Sequence, residues 1–598
     1  MGPLSVNDRP EPKAKGRQLL GWLAPFLALG WIALARWPLV LNAADHLDSD
    51  LAVDGLTLID ALHGRWRWHY PATPFIGSPP VLLSSVQALI WGANPITLAS
   101  GGLVAYLLVA LATYAMTRRA FGATVAAWGL VPLAFASTGV VWLSGRVTGG
   151  HLLATAWFAG AFALAWGVMA RGKARRWAML GLWCGLGLWV DSMFAAGLAG
   201  LGVAAVSFAW ANASRYPVTS PHPSPPPQGG RGPEGQPASD SLPPCGGGLG
   251  WGDDATSPAI PDKPVGFARQ ATQLALCLLA FAAAGVVGVA PRIIGARVDP
   301  HDAYAGQFAF ALDGDRLARN AGLLARDCLP RLIAGHRLPG LQAEPDPSKL
   351  AGGSAAAATG PAWSAGWIAP AVSAVSLLVF FGSIVALLKG GGSRDPTSFA
   401  TRLGLLATAS AVVAAFLVHP SITDSDNYRY LVFLLVPYSA GFGLMADRVA
   451  SKGRGGKAVA FALALVFAGL MAVDSARWYG RLGWLDASCR PIRKAVDEPV
   501  VAWLEGHPEV SAVVGDYWDV YRLSFLTEGR VVAVPFPVYP DRFPETSKGL
   551  AAASNPVLVA RPGAFGPGYR GRALAGGGRE RLRGKGFSIA DWPKGMTP

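Results

Sequence analysis

Apolar runs of about the 20 residues that a helix needs to cross a bilayer recur along the chain, separated by short polar segments. The pattern allows eleven spans, at 18–40, 95–117, 122–142, 152–170, 177–190, 193–211, 270–290, 364–388, 399–418, 429–447 and 457–474. Backbone polar groups have no water to bond inside lipid, so runs of this kind predict a polytopic α-helical membrane protein. Three stretches break the pattern. Residues 215–264 are dominated by Pro, Gly and Ser and hold too few apolar residues to bury a core, which predicts a disordered linker. Residues 291–362 read as a long loop with a helix around "DRLARNAGLLARDCLPRLI". Beyond residue 475, helix-like stretches ("VDEPVVAWLEGHP", "YWDVYRLSFLTEG") alternate with strand-like ones ("VSAVVGD", "RVVAVPF", "PVLVAR", "FSIADW"), the pattern of a small α/β domain. Its Arg-rich stretch at 570–585 reads as a solvated loop.

Composition supports this picture: 15% of residues are charged, against about 25% in a soluble protein. The net charge of +14 does not point to nucleic acid, because the basic residues are spread among the segments between spans. Arg9, Lys13, Lys15 and Arg17, then Arg118 and Arg119, Arg171 to Arg176, and Lys452 to Lys457 all fall on one side if the N-terminus is cytoplasmic. The expected organisation is then a cytoplasmic N-terminus (1–17), a first transmembrane module (18–212) with an outer loop at 41–94, and a cytoplasmic linker (213–268). A second module (269–474) with an outer loop at 291–362 and an extracytoplasmic α/β domain (475–598) complete it. The first apolar run lacks a small-residue cleavage site and is expected to remain as an anchor in the inner (plasma) membrane. Five cysteines are too few for a disulfide scaffold; Cys328 and Cys489 both fall outside, where a disulfide between them can persist.

The first outer loop opens with "LNAADHLDSDLAVDGL", residues 41–56, which crowds Asp45, Asp48, Asp50 and Asp54 into ten positions. One reading is structural: Asp50 caps a helix over 51–63, whose Leu51, Leu58 and Leu62 form a stripe suited to lying on the membrane. Capping, however, needs one acidic residue. In an extended stretch Asp48 and Asp50 point to the same side, whereas Asp50 and Asp54 share a helix face. Paired carboxylates can hold a divalent cation such as Mg or Mn or act as a general base. Glycine runs at 390–392 and 453–456 lack the Gly-Lys-Ser/Thr ending of a phosphate loop, and no Cys/His spacing suggests zinc.

The stretch "DSDLAVDGLTLIDALHGRWRWHYPATPFIG", followed by "ALIWGANPITLASGG", resembles the start of the GT-C superfamily of integral membrane glycosyltransferases. It is most similar to the branch of protein O-mannosyltransferases and the lipid A aminoarabinose transferase. The resemblance implies an acidic active-site motif in the first outer loop and a sugar donor carried on a polyprenyl phosphate. A lipid, glycan or protein would be the acceptor, and nucleic acid has no part. Relatives often carry Asp-Glu; here Asp50 is followed by Leu51, which leaves the choice of base open between Asp48 and Asp50. Departure of a phosphate also calls for cations, and Arg suits phosphate oxygens best. Arg146 and His151 in "SGRVTGGHLLA", Arg292 in "APRIIGARVDPHDAY", and Arg429 in "HPSITDSDNYRYLVFLLVP" are the candidates. Asp54, Asp191, Tyr428 and Tyr430 are expected as accessories. Two other classes compete with the glycosyltransferase: a catalytically silent assembly or scaffold protein of the same fold, and a lipid-carrier flippase. The flippase should show ionisable residues in mid-span or repeated halves; the charges here sit at span ends.

Overall fold

The computed structural model describes residues 15–147, 149–169, 172–213, 267–305, 312–338, 366–390, 395–495, 498–562 and 565–597. The expected linker and the cytoplasmic N-terminus, except their last few residues, lie outside them, as do residues 339–365 of the second long loop. The chain is a multi-pass membrane protein: nine helices among the described residues are long and apolar enough to span a bilayer.

The first long helix, α1 (Lys15–Leu41), is followed by the loop segment that carries the site. That segment contains α2 (Ser49–Leu62), a short antiparallel pair β1 (His69–Tyr70) and β2 (Thr73–Gly77), and α3 (Pro79–Trp91). Asn94 then caps α4 (Pro95–Phe121) in a capping box with Thr97. The expected span at 122–142 is not one helix. It breaks into α5 (Ala123–Gly129), α6 (Val131–Ala134) and α7 (Thr138–Leu143). Pro132 has no N–H to continue the ladder, and Ser137 starts α7 afresh by accepting from Val140 N at 3.2 Å. The bundle continues with α8 (His151–Met169), α9 (Ala174–Val190), α10 (Phe194–Ala213) and α11 (Phe267–Val298). Gly181 and Gly185 of α9 lie against the backbone of Phe281 and Gly285 of α11, so these two helices pack with almost no side chain between them.

The helix expected in the second loop is present as α12 (Gly314–Leu323), a π turn at Leu324–Cys328, and α13 (Leu329–Ala334). Cys328 is buried against the Asp424 and Ser425 carbonyls while Cys489 is exposed, and both are free thiols, so they do not pair. Four further spans close the bundle: α14 (Ile368–Lys389), α15 (Pro396–Val418), a 3-10 segment at Ser425–Leu434 running into α16 (Leu435–Ala450), and α17 (Arg454–Arg481).

The C-terminal region begins with α18 (Pro499–Glu505) and holds a five-stranded sheet. Strand β3 (Ala512–Gly515) leads into α19 (Tyr517–Leu526), and β4 (Val532–Pro535) and β5 (Val557–Ala560) lie parallel to β3 on either side. β7 (Phe587–Asp591) runs antiparallel between β5 and β6 (Glu580–Gly584). The Arg-rich stretch expected as a loop is therefore the end of a helix plus strand β6. Three of its five arginines are ion-paired, Arg570 and Arg583 with Glu580 and Arg581 with Asp591.

The apolar stripe of α2 does not face lipid. Leu51, Val53 and Leu58 are fully buried in one cluster with Val520, Leu523 and Phe525 of α19. Gly55 completes the fit, since a Cβ there would meet the Phe525 ring at 2.5 Å. Within this loop segment it is α3 that exposes apolar side chains, through Val86, Leu89, Ile90 and Trp91. The C-terminal sheet region is thus clamped onto the segment that holds the aspartates.

Candidate active site

A cavity of about 780 Å³ lies where the α2 segment, the starts of α8 and the 3-10 segment, and the C-terminal region meet. That size suits a ligand of a few hundred daltons. Asp50, Arg146, His151, Arg429, Tyr430 and Arg542 are among the side chains that line it.

The two candidate carboxylates have separate fates. Helix α2 starts at Ser49, so Asp48 and Asp50 do not lie on an extended strand and do not face one ligand. Asp48, rather than Asp50, is the N-cap: its Oδ1 accepts from Leu51 N at 2.9 Å. Its Oδ2 is ion-paired with Arg146 Nη2. Burial works against the Arg146 charge, but Asp48, with Asp50 behind it, outweighs that and raises its pKa. Asp48 is not part of the cavity lining.

Asp50, in the first turn of α2, faces the cavity. The Tyr517 hydroxyl donates to its Oδ1 at 2.6 Å, and Arg542 Nη2 stands 3.8 Å from the same oxygen. Oδ2 accepts no hydrogen bond among the described residues. A cation shared by Asp48 and Asp50 does not fit this donor set, because three of the four oxygens are already engaged. Among the described residues no group of three or more His, Cys, Asp and Glu is arranged to hold a metal.

Arg542 enters from the turn after β4 and is 6% exposed. Its Nε donates to the Tyr517 hydroxyl at 3.0 Å, Nη1 to Thr73 Oγ1 at 2.8 Å, and Nη2 to the Tyr304 hydroxyl at 2.6 Å. The rings of Tyr70, Tyr304 and Tyr517 surround the guanidinium at 5.0 to 5.8 Å. Burial pushes all three phenols above their ordinary pKa. They therefore remain protonated donors across the neutral range.

The other wall is built around Arg429 and Tyr430. Arg429 lines the cavity with its guanidinium 5.4 Å from the Tyr430 ring centroid, and its buried Nε has no hydrogen-bond partner among the described residues. The Tyr430 ring meets the His151 ring edge-on at 5.3 Å and stacks on His419 at 5.9 Å. Gly149 and Gly150, at φ of +79° and +68°, turn the chain from Arg146 into α8 and so set His151 at the rim of that helix. His151 Nδ1 bonds Asp191 Oδ2 at 2.5 Å, and Asp191 Oδ1 accepts from Met193 N at 2.9 Å. With Nδ1 committed, Nε2 is the atom His151 offers to the cavity.

The structure thus gathers Asp50, Arg146, His151, Arg429 and Tyr430, with Asp191 behind His151. It does not gather the rest. Arg292 donates to the Leu188 carbonyl at 3.1 Å and faces a separate open groove with Arg297, because the glycine contacts of α9 and α11 turn it to the flank of the bundle. Tyr428 is buried and donates to the Gly139 carbonyl at 2.9 Å. Asp54 is buried on α2 and is not part of the cavity lining. Sequence reasoning missed Tyr70, Tyr304, Tyr517 and Arg542. The stretches "YWDVYRLSFL" and "YPDRFPET" carry no motif that marks them, though their density of Tyr and Arg in an outer domain is a weak signal.

No protein-family profile matches the chain, and no curated protein sequence matches it significantly. Solved structures do. The structure of ArnT from Cupriavidus metallidurans in the apo state superposes with a TM-score of 0.51 at 12% identity, covering 96% of this chain and 98% of that one. ArnT from the same organism bound to undecaprenyl phosphate gives 0.48 at 12% identity, with 98% and 100% covered. An Archaeoglobus fulgidus oligosaccharyltransferase in complex with Zn and sulfate gives 0.44 at 13% identity, with 90% and 68% covered.

Proposed function

We propose that this chain, whose fold is that of the GT-C membrane glycosyltransferases, transfers a sugar from a polyprenyl-phosphate donor to a hydroxyl acceptor. The observation that carries the reading is one cavity holding a carboxylate with a free oxygen, Asp50 Oδ2, and a buried guanidinium with an unpartnered donor, Arg429 Nε. Among the described residues Arg429 is the one residue with such a buried, unpartnered side-chain atom that lines the cavity. A phosphate oxygen answers that need by a charge-assisted hydrogen bond.

The chemistry then runs between the two walls. Asp50 Oδ2 takes the proton of the acceptor hydroxyl, the acceptor oxygen bonds to the anomeric carbon, and the bond from that carbon to the phosphate oxygen breaks. The polyprenyl phosphate leaves as an anion held by Arg429, with His151 Nε2 beside it. Attack from the side opposite the phosphate inverts the anomeric centre. Arg146 is tied to Asp48 and shapes the floor between the walls. The site faces the outer side of the inner membrane in this reading, as the positions of the basic loops suggest.

The test uses the full chain in lipid nanodiscs, supplied with a panel of polyprenyl-phosphoryl hexoses and pentoses and a delipidated cell-envelope extract as acceptor. Release of polyprenyl phosphate, seen by mass spectrometry and lost in Asp50→Asn, supports the transferase. Donor binding without release by any panel member supports the catalytically silent scaffold instead.

A further inference from the structure

Both groups that hold the Asp50 carboxylate come from the C-terminal region, 467 and 492 positions away along the chain: Tyr517 and Arg542. We infer that this region is a working part of the active site, and that Tyr517 and Arg542 are positioning residues which fix Asp50 with Oδ2 toward the cavity. The inference rests on the reading of Asp50 as the base.

The geometry has the form of a relay. Arg542 Nε donates to the Tyr517 oxygen, and the Tyr517 hydroxyl donates to Asp50 Oδ1. A phenol that accepts from a guanidinium is a stronger donor in turn. Each partner is itself fixed from outside the relay. Tyr304 and Thr73 hold the Arg542 fork. Ser49, one residue before Asp50, donates to the Tyr517 carbonyl. The Tyr70 hydroxyl donates to the Asp50 carbonyl at 3.0 Å, so backbone and side chain of Asp50 are both held.

A plain structural rivet between α2 and α19 would not need this arrangement. The apolar cluster of Leu51, Leu58, Leu523 and Phe525 already joins the two helices. Burying a guanidinium is costly, and an apolar side chain of similar volume would often serve stability as well. The charge is instead placed 3.8 Å from Asp50 Oδ1, on a cavity carboxylate whose other oxygen accepts no hydrogen bond among the described residues. Fixing one oxygen of a carboxylate leaves its partner in a single direction, which is what a base aimed at an acceptor hydroxyl requires.

The charged and titratable groups facing Asp50 are Tyr517 on α19, Arg542 after β4, Tyr70 on β1, Tyr304, Arg146 and Arg429, with Asp48 and Asp54 on or beside its own helix. Removing the Tyr517 hydroxyl withdraws the hydrogen bond that holds Oδ1 and lets Oδ2 turn from the acceptor, which acts on turnover and not on donor binding.

The experiment compares wild type, Tyr517→Phe, Arg542→Lys and Asp50→Asn in nanodiscs, reading release of polyprenyl phosphate per folded molecule together with donor KM and Tm. Tyr517→Phe keeps the ring in place. It should lower kcat about 10- to 100-fold and leave donor KM unchanged. Arg542→Lys keeps the charge but loses the fork, and should show the same split more weakly. Donor KM does not depend on the fraction of folded protein, and kcat is taken per folded molecule, so partial misfolding of either variant leaves the test intact. Variants that lower Tm while keeping the wild-type kcat would overturn the inference and leave a rivet. Full activity in Asp50→Asn would instead overturn the reading of Asp50 as the base.

Discussion

The two walls of the cavity are built on opposite plans. On the wall of α2 and the C-terminal region, Asp50, Tyr517, Arg542, Tyr304 and Thr73 bond to one another in a closed set that leaves a single carboxylate oxygen over. On the facing wall, Arg429 Nε lacks a partner and His151 presents Nε2 with only its Nδ1 engaged. The first wall is complete without a ligand and the second is not. The difference is what a group-transfer site with a negatively charged leaving group requires. The base must be held still before the substrate arrives, whereas the cation must keep bonding capacity for a phosphate that comes and goes.

The comparison can be broken at its strongest point first. Asp50→Asn removes the proposed base and should cut turnover by about 10²- to 10⁴-fold with little change in donor KM, measured by release of polyprenyl phosphate. Arg429→Ala acts on the other wall and should fall mainly on the donor. Loss of a charge-assisted contact to phosphate predicts a rise in donor KM of about 10- to 100-fold, and Arg429→Lys should recover part of it by keeping the charge without the fork. Asp191→Asn leaves His151 without its orienting carboxylate. A factor of about ten in turnover is expected, with the fold kept, as read by Tm. Arg292→Ala should change turnover by less than about twofold, since surface substitutions away from a site are near neutral. A large effect there would mean that the groove at the flank of α11 belongs to the site.

Much of this was legible in the sequence, and the limits follow from physics. Spans such as α4, α10, α14 and α15 were readable because lipid demands long uninterrupted apolar runs. The expected span at 122–142 misled for the same reason: its hydropathy is right, and only Pro132 and the Ser137 cap show that the helix is broken. Asp50, Arg146, His151 and Arg429 were found as charges at span ends. The separate fates of Asp48 and Asp50 were not, because an i, i+2 spacing puts both on one side only in extended chain and α2 begins at Ser49. The stripe of Leu51 and Leu58 has the same periodicity whether it meets lipid or α19, so amphipathicity alone could not choose. The cage around Arg542 was out of reach, since Tyr70, Tyr304 and Tyr517 meet it from three distant parts of the chain.

The most direct test of the central claim sets Asp50→Asn beside Asp48→Asn and measures turnover per folded molecule in nanodiscs. Asp48→Asn keeps an oxygen that caps α2 and loses the ion pair with Arg146, so it should lower Tm while the folded fraction keeps most of its turnover. Asp50→Asn should keep its Tm within a few degrees and lose about 10²-fold or more in turnover. The reverse result, with activity lost at Asp48 and retained at Asp50, would contradict the account and move the base to the other side of Arg146.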